Sequence, residues 1–145
     1  MSDTQKFVAA ATVTVDALTH DIWAVWVDVN AWKNWNPGID TVRMNGNFKQ
    51  GTTIALTPSG GEPVEVVITE VAQGEYFTDE THLPFGVIRN HHRMEKVGDR
   101  VQITHEVVAE IGEEHVALFA KAIWPSLQGD TSVGVLNIAD LVGND

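Results

Sequence analysis

A β-hairpin centred on Gly98-Asp99 is the feature that most constrains this chain, because its register follows from the sequence. Gly-Asp between two runs of alternating apolar and polar residues is a strong hairpin signal. With the turn closed there, one face holds three pairs, which are Met94 with Ile103, His92 with His105 and Asn90 with Val107. A shift by one residue would set Met94 beside Gln102, so burial of one face selects the stated register.

His92 and His105 are therefore predicted to point inward as a cross-strand pair, with Cβ atoms about 5 Å apart. Two imidazoles on a face that should be dry indicate a polar spot inside a cavity. They could hydrogen-bond a ligand oxygen or move a proton. Alternatively, they satisfy each other or a buried water and only fill space. The sequence leaves both interpretations open.

Length and composition exclude several classes of protein. The length of 145 residues predicts one domain, residues 1–145, with a core large enough to be stable without disulfides or a structural metal ion. The chain has no cysteine, which excludes disulfides, thiolate metal sites and thiol nucleophiles. The net charge is -11, from 20 acidic against 9 basic residues. No basic stripe is visible, so we expect no nucleic-acid partner and no binding to an anionic membrane.

Targeting and membrane segments are not expected either. The first residues lack the basic and apolar stretches of a signal peptide. No apolar run approaches the roughly 20 residues of a membrane helix, so the sequence predicts no membrane insertion. We expect a cytoplasmic protein.

The order of elements predicts an α+β protein. A first strand over residues 5–15 precedes two short helices, at residues 18–29 and 30–35. Strand-like runs follow, separated by turn residues, at residues 39–44, 52–57, 64–71, 76–83, 87–97 and 101–111. The short connections favour an antiparallel meander. Apolar residues from Val116 to Val142 fit a helical period, and Pro125 is expected to kink that helix. A long helix across one sheet face makes a two-layer design.

Asp79 has two possible orientations. If Phe77 faces inward, so does Asp79, because strand side chains alternate. Asp79 then lies opposite Asn90 and diagonal to His92, where a buried carboxyl would be an acid/base candidate. In the other register Asp79 points to solvent. Asp79 is the only plausible third ligand beside the two histidines, and we expect no metal site.

Several segments resemble the START-like (SRPBCC) superfamily, and more narrowly its bacterial polyketide cyclase/dehydrase-like branch. Residues 23–29 (WAVWVDV) and 32–38 (WKNWNPG) are similar to its first helix pair. The glycine-bounded turn at residues 46–52 (GNFKQGT) is similar to one of its turns. The further matches are residues 77–84 (FTDETHLP), 92–95 (HRME), 100–105 (RVQITH) and 111–112 (IG).

The resemblance implies the helix-grip fold. A seven-stranded antiparallel sheet would wrap around a long C-terminal helix, with two short helices between the first and second strands. A hydrophobic cavity would lie between sheet and helix. Trp124-Pro125 and residues 129–131 (GDT) depart from the smooth terminal helix that the superfamily usually has.

Three functions are weighed. The first is binding of a small hydrophobic molecule (aromatic, polyketide-like or lipid-like) without a cofactor. The ligand-binding residues predicted for it are Trp35, Phe77, Asp79, Asn90, His92, Met94, Ile103, His105, Phe119, Ile123 and Trp124. Trp35 could form the mouth of the cavity and Trp124 a lid, although tryptophans are more often core anchors.

The second hypothesis, implied by the resemblance, is a polyketide cyclase/dehydratase-type enzyme whose pocket histidines act as acid and base. No diagnostic catalytic motif accompanies it. The third is a co-chaperone-like interaction domain, which ranks last because the outer face of the hairpin is polar. The sequence indicates no particular protein partner.

Overall fold

The computed structural model describes residues 3–143. Its strands are β1 Thr4–Val15, β2 Ile39–Met44, β3 Thr53–Pro58, β4 Val64–Ala72, β5 Tyr76–Leu83, β6 Gly86–Val97 and β7 Arg100–Gly112. Its α-helices are α1 Thr19–Val27, α2 Val116–Ala122 and α3 Trp124–Gly143, with 3₁₀ helices at Val29–Asn34 and Glu113–His115. Within residues 3–143 no helix combines the length and apolarity that a membrane span needs.

The strands form one antiparallel sheet in the order β1-β7-β6-β5-β4-β3-β2, and α3 lies against β1 and β7. This arrangement confirms the predicted helix-grip fold. Along β7 alternate side chains are buried, from Val101 through His105 to Ile111. The period-2 pattern of this strand therefore decides which of its faces lies under the helices.

The predicted register of the β6–β7 hairpin is confirmed. Met94 pairs with Ile103, and His92 pairs with His105. The strands close at Val97 and Arg100, so the connection is a two-residue turn, and its first residue, Gly98, has a φ of 65°. A left-handed φ at this place explains why glycine stands there.

The C-terminal helix differs from the expectation. Instead of one helix kinked at Pro125, the chain forms α2 and α3, which separate at Ile123. Pro125 is the second residue of α3, where the missing N–H would have no partner in the helix and the fixed φ suits a helix start. Proline here begins a helix, whereas a proline in the interior would have bent one. Gly129 does not interrupt α3.

The inner face of the sheet carries two apolar clusters. The larger one contains α1, Trp32, Trp35 and the Val135–Ile138 part of α3. The smaller one lies at the other end, around Phe119 and Ile111. Between them runs one row of cross-strand neighbours, which are Ile68, Asp79, Asn90, Val107 and Ala9. Polar side chains thus enter the sheet's inner face where the two clusters meet.

Candidate functional site

The two histidines lie in the larger cluster, inside a group of aromatic side chains. Only 6% of the surface of His92 and 5% of that of His105 is exposed, and their ring centroids are 4.7 Å apart. We call the rings that contact one another here the ring cluster, which consists of Trp26, Trp32, Trp35, Phe77, His92 and His105. The inward pairing expected from the sequence therefore has an aromatic surround.

The sheet sets the order of three of these rings. Phe77 on β5, His92 on β6 and His105 on β7 are direct cross-strand neighbours. Phe77 stacks on His92 with ring centroids 4.0 Å apart and an angle of 5° between the planes. Cross-strand neighbours on one face are held at contact distance by the ladder itself. The row is therefore fixed by backbone pairing.

The tryptophans reach the row from the helical side. The indole nitrogen of Trp32 donates a hydrogen bond to the Trp26 carbonyl at 2.8 Å, which joins α1 to the 3₁₀ helix. The side chain of Asn137 on α3 donates to the Trp35 carbonyl at 3.0 Å. Gly134 of α3 is buried and faces the Trp35 ring, where an added Cβ would make an ordinary van der Waals contact at 3.5 Å. Helices and sheet thus close on the cluster from two sides.

Four ring nitrogens in the cluster have no hydrogen-bond partner in the protein. They are Trp26 Nε1, Trp35 Nε1, His92 Nδ1 and His105 Nε2, and among residues 3–143 no other buried side-chain nitrogen or oxygen is in this state. Leaving a buried donor unpaired costs about 1–3 kcal/mol. An indole nitrogen can only donate, whereas a neutral imidazole offers one donor and one acceptor. The cluster therefore contains unpaired hydrogen-bonding groups of the kind that an oxygen-bearing group could satisfy.

Burial keeps both imidazoles uncharged. It lowers the pKa of His105 from 6.5 to about 3. It also lowers the pKa of His92 well below 6.5, and repulsion from a charged His105 adds to this, while a hydrogen bond with the Phe77 backbone opposes it. At neutral pH both rings are hydrogen-bonding groups and weak bases.

Asp79 lies in the row between the two clusters and points inward. It is 3% exposed and accepts a hydrogen bond from Asn90 Nδ2 at 3.1 Å on Oδ1. Burial raises the pKa of Asp79 from 3.8 to about 7, the Asn90 bond opposes the rise, and the charge of Glu80 adds to it. The inward register, one of the two left open by the sequence, is the one that forms.

Other predicted site residues lie elsewhere. Phe119, Ile123 and Trp124 belong to the smaller cluster, where Trp124 packs on Phe7 at 5.4 Å and on Phe119 at 6.0 Å. The structure does not bring these three into the ring cluster. Trp35 is 4% exposed and lies within the core, as expected of a core anchor, and not at the mouth of a cavity, which was the alternative.

The rings contact one another in the region where the resemblance implies a cavity. Two depressions, of about 260 Å³ and 230 Å³, lie on the surface. One is beside the start of α1 and the β6–β7 turn, and the other is around Thr78 and His91 and includes His92 in its lining. Neither of these two depressions is lined by a tryptophan or by Phe77. Among residues 3–143 no three histidine or acidic side chains are placed to hold a metal ion.

Sequence reasoning missed one aromatic contact. Phe48, in the loop between β2 and β3, packs on Phe77 at 5.1 Å and on Trp23 at 5.8 Å. The signal available in the sequence was a single phenylalanine in a loop of polar residues between two glycines. A large apolar side chain at such a place is a candidate for packing against the core.

The comparisons with known proteins agree with this fold. A family model described as polyketide cyclase/dehydrase and lipid transport matches residues 6–134. A truncated norcoclaurine synthase from Thalictrum flavum has a similar structure, with a TM-score of 0.78 and 18% identity. The match covers 100% of this chain and 98% of the synthase chain. A hypothetical protein from Helicobacter pylori is also similar, with a TM-score of 0.74 and 16% identity. The match covers 94% of this chain and 88% of the other chain.

The di-domain ARO/CYC StfQ from the steffimycin biosynthetic pathway also matches. The match covers 95% of this chain but 50% of that one, with a TM-score of 0.76 and 12% identity. No curated protein sequence matches the chain significantly. The structural matches, at such low identities, show the fold, while the family model covers most of the chain and confirms the resemblance seen in the sequence. The chain belongs to the polyketide cyclase/dehydrase and lipid transport family.

Proposed function

We propose that this chain binds a small hydrophobic molecule, aromatic, polyketide-like or lipid-like, between the sheet and α3. The observation that carries the proposal is the set of four unpartnered ring nitrogens at the centre of an apolar core. Small-molecule sites are mostly apolar, with a few polar groups that fix the ligand's orientation. The ring cluster has this composition, and the family's description names activities on hydrophobic molecules.

Different residues of the site would supply apolar contact and hydrogen bonds to the ligand. Phe77, Met94 and Ile103 supply apolar surface beside the histidines, and all three are buried. The ring nitrogens of His92 and His105 would hold a polar group of the ligand. A longer, lipid-like molecule would continue along the Asp79–Asn90 row toward Phe119, Ile123 and Trp124.

Native mass spectrometry of the gently purified protein tests the proposal, followed by uptake of N-phenyl-1-naphthylamine, a neutral fluorescent probe. We expect a stoichiometric passenger, or saturable one-to-one uptake of the probe. Replacing His105 by phenylalanine keeps the ring's shape and removes its nitrogens, so a passenger with a polar group should be lost from His105→Phe. The matched control is His91→Phe, on the outer face of β6. A protein that carries no passenger and takes up no probe contradicts the proposal.

Asp79 favours a second candidate, an acid–base enzyme that takes a proton alpha to a carbonyl. Its pKa of about 7 suits proton transfer near neutrality better than the low pKa values of the two histidines. In this candidate Asp79 is the base, and the ring nitrogens stabilise the enolate oxygen. The histidines would then bind and orient the substrate, instead of acting as the acid and base.

Deuterium exchange of the methyl protons of acetophenone, followed by NMR, tests this candidate. The rate should rise with pH through about 7, because the base must be deprotonated. Asp79→Asn should abolish it while the folded structure persists, and Asp99→Asn, in the exposed β6–β7 turn, should not. Equal rates in wild type and Asp79→Asn would exclude the role given to Asp79.

A further inference from the structure

The loop between β2 and β3 is attached to the ring cluster by a single side chain. Of residues 45–51, all are exposed except Phe48. Its ring meets Trp23 and Phe77 edge-on, with interplanar angles of 85° and 77°. Trp23 and Phe77 are themselves 6.5 Å apart, so Phe48 completes a group of three rings. Phe77 stacks directly on His92, which places Phe48 one ring away from the histidine pair.

The ends of this loop are fixed to the sheet, and its tip is tied to Thr52, which donates from its hydroxyl to the Asn47 carbonyl at 2.6 Å and from its amide to the Lys49 carbonyl at 3.2 Å. The backbone of Asn45 donates to the Thr53 carbonyl at 2.9 Å, and that of Gly51 donates to the Ile68 carbonyl at 2.7 Å. Gly46 and Gly51 bracket the tip with φ values of 132° and 94°, which other residues rarely adopt. A swing of the tip about these two glycines would withdraw Phe48 and break the two bonds from Thr52, while the bonds at Asn45 and Gly51 would keep the strands in place.

We propose that the place of the Phe48 ring is itself a ligand subsite, which a flat, uncharged aromatic ring takes when the loop swings out. The chemistry of the position supports this class of ligand. Trp23 and Phe77 offer aromatic surfaces, and aromatic rings gain from edge-on contact beyond the area they bury. Phe48 thus acts as an internal competitor that keeps the ring cluster closed in the absence of ligand. The inference rests on the proposed function, since it concerns access to the same cluster.

The opposite end of the core explains why Phe48 is singled out. Phe85, in the turn between β5 and β6, is also half-buried and aromatic, but it packs on Phe119 in the smaller cluster. It is therefore a matched control. Truncating either phenylalanine removes a half-buried ring, but only the loss of Phe48 removes a ring that contacts Phe77.

The experiment compares wild type, Phe48→Ala and Phe85→Ala in their affinity for N-phenyl-1-naphthylamine and for 1-decanol, an aliphatic probe. Removing an internal competitor raises the fraction of protein that can bind, so Phe48→Ala should bind the aromatic probe roughly tenfold more tightly than wild type. It should not gain comparably for 1-decanol, and Phe85→Ala should gain for neither. Equal aromatic affinity in wild type and Phe48→Ala overturns the subsite and leaves the proposed function standing. A comparable gain in Phe85→Ala also overturns it.

Hydrogen exchange of the indole N–H groups gives a readout that needs no ligand. In Phe48→Ala the Trp26 indole should exchange at least about tenfold faster than in wild type, because the slot gives solvent a path to the cluster. The backbone amide of Ile103, in the middle of β7, reports global unfolding and should keep its wild-type rate. Acceleration of both to the same extent, or of neither, contradicts the proposal. No probe uptake by any of the three proteins overturns the subsite, and it overturns the proposed function as well when native mass spectrometry also finds no passenger.

Discussion

Burial shifts the pKa values of the acid and of the histidines in this core in opposite directions. It raises the pKa of Asp79 to about 7 and lowers the pKa of His105 to about 3. Both shifts favour the uncharged form, because a low-dielectric surround disfavours charge of either sign. The sequence could place His105 inward from the alternation of its hairpin. It could not orient Asp79, since the pattern of β5 is mixed and buried Thr78 and Asp79 are consecutive.

Asp79→Asn should remove a pH dependence of stability. The pKa of Asp79 rises on folding from 3.8 to about 7, so between these values the folded chain keeps a proton that the unfolded chain has lost. The contribution of Asp79 to the stability of the wild type therefore falls as the pH rises through this range, by on the order of 4 kcal/mol for the full shift. Asparagine does not ionise, so relative to wild type the variant should be more stable at pH 8 than at pH 4.

Urea unfolding at the two pH values measures the difference. The control is Asp99→Asn, because Asp99 is exposed in the β6–β7 turn. Its stability should follow that of the wild type at both pH values. A constant difference between wild type and Asp79→Asn would show that Asp79 does not titrate differently in the folded protein.

His105→Phe should make the protein more resistant to acid. The pKa of His105 falls on folding from 6.5 to about 3, so acid protonates the unfolded chain first. The contribution of this residue is present above pH 6.5 and is lost as the pH falls toward 3, by roughly 2 kcal/mol at pH 5. Phenylalanine takes no proton, so the variant should lose less stability between pH 7.5 and pH 5 in urea unfolding. His20, whose side chain is 90% exposed, supplies the control His20→Phe, which should lose as much stability as wild type.

At the scale of elements, local sequence patterns predicted which strands pair better than they predicted where one helix ends and the next begins. The β6–β7 hairpin was predictable because one register buries apolar residues and the other does not. The break between α2 and α3 was misplaced, because Pro125 was treated as an interior residue. A proline does not show from its own position whether a helix bends at it or begins just before it. Packing of Phe119 and Trp124 in one cluster decides between these cases.

Gly86→Ala should destabilise the β5–β6 connection strongly. A Cβ at Gly86 would collide with the backbone oxygen of Glu110 on β7, which the ladder holds in place. We expect a loss of roughly 2–3 kcal/mol, similar to other overpacked sites. Gly74→Ala is the matched control, since Gly74 has a φ of 79° but no atom within 4 Å of the added Cβ, so only backbone strain is expected, about 1 kcal/mol. The urea midpoints of the two variants give the order of their stabilities. Equal losses of stability would contradict a collision at Gly86.

At the scale of the whole molecule, the ring cluster depends on contacts that no local pattern encodes. Trp26 and Trp35 were predicted as core anchors of a helix pair, and they are buried. Their contact with His92 and His105 requires α1 and the end of the Val29–Asn34 3₁₀ helix to close over the same part of the sheet. The sequence therefore predicted the polar half of the site and the family fold, while the aromatic half became visible only when the helices were placed.

The net charge of -11 should make stability depend on salt. Raising the ionic strength from 0.01 M to 0.15 M shortens the screening length from about 30 Å to about 8 Å, which weakens repulsion between surface carboxylates. The urea midpoint should rise accordingly. Glu62→Lys, at an exposed loop position, reduces the net charge by two units and should raise stability more at low salt than at high salt. A midpoint that does not change with salt contradicts this explanation.

The position of β1 has a consequence for how the chain is made. β1 is the first strand in sequence, yet its neighbour in the sheet is β7, and Thr4 pairs with Gly112. On a ribosome, β1 has no strand to pair with until almost the whole sheet has been synthesised. The residues from Phe7 to Val15, which include no lysine, arginine, aspartate or glutamate, wait in the nascent chain through that time. Pairing over so long a separation is slow and leaves an unpaired strand open to other chains. We therefore expect β1 to be the strand of this sheet that is most exposed to association with other chains during synthesis.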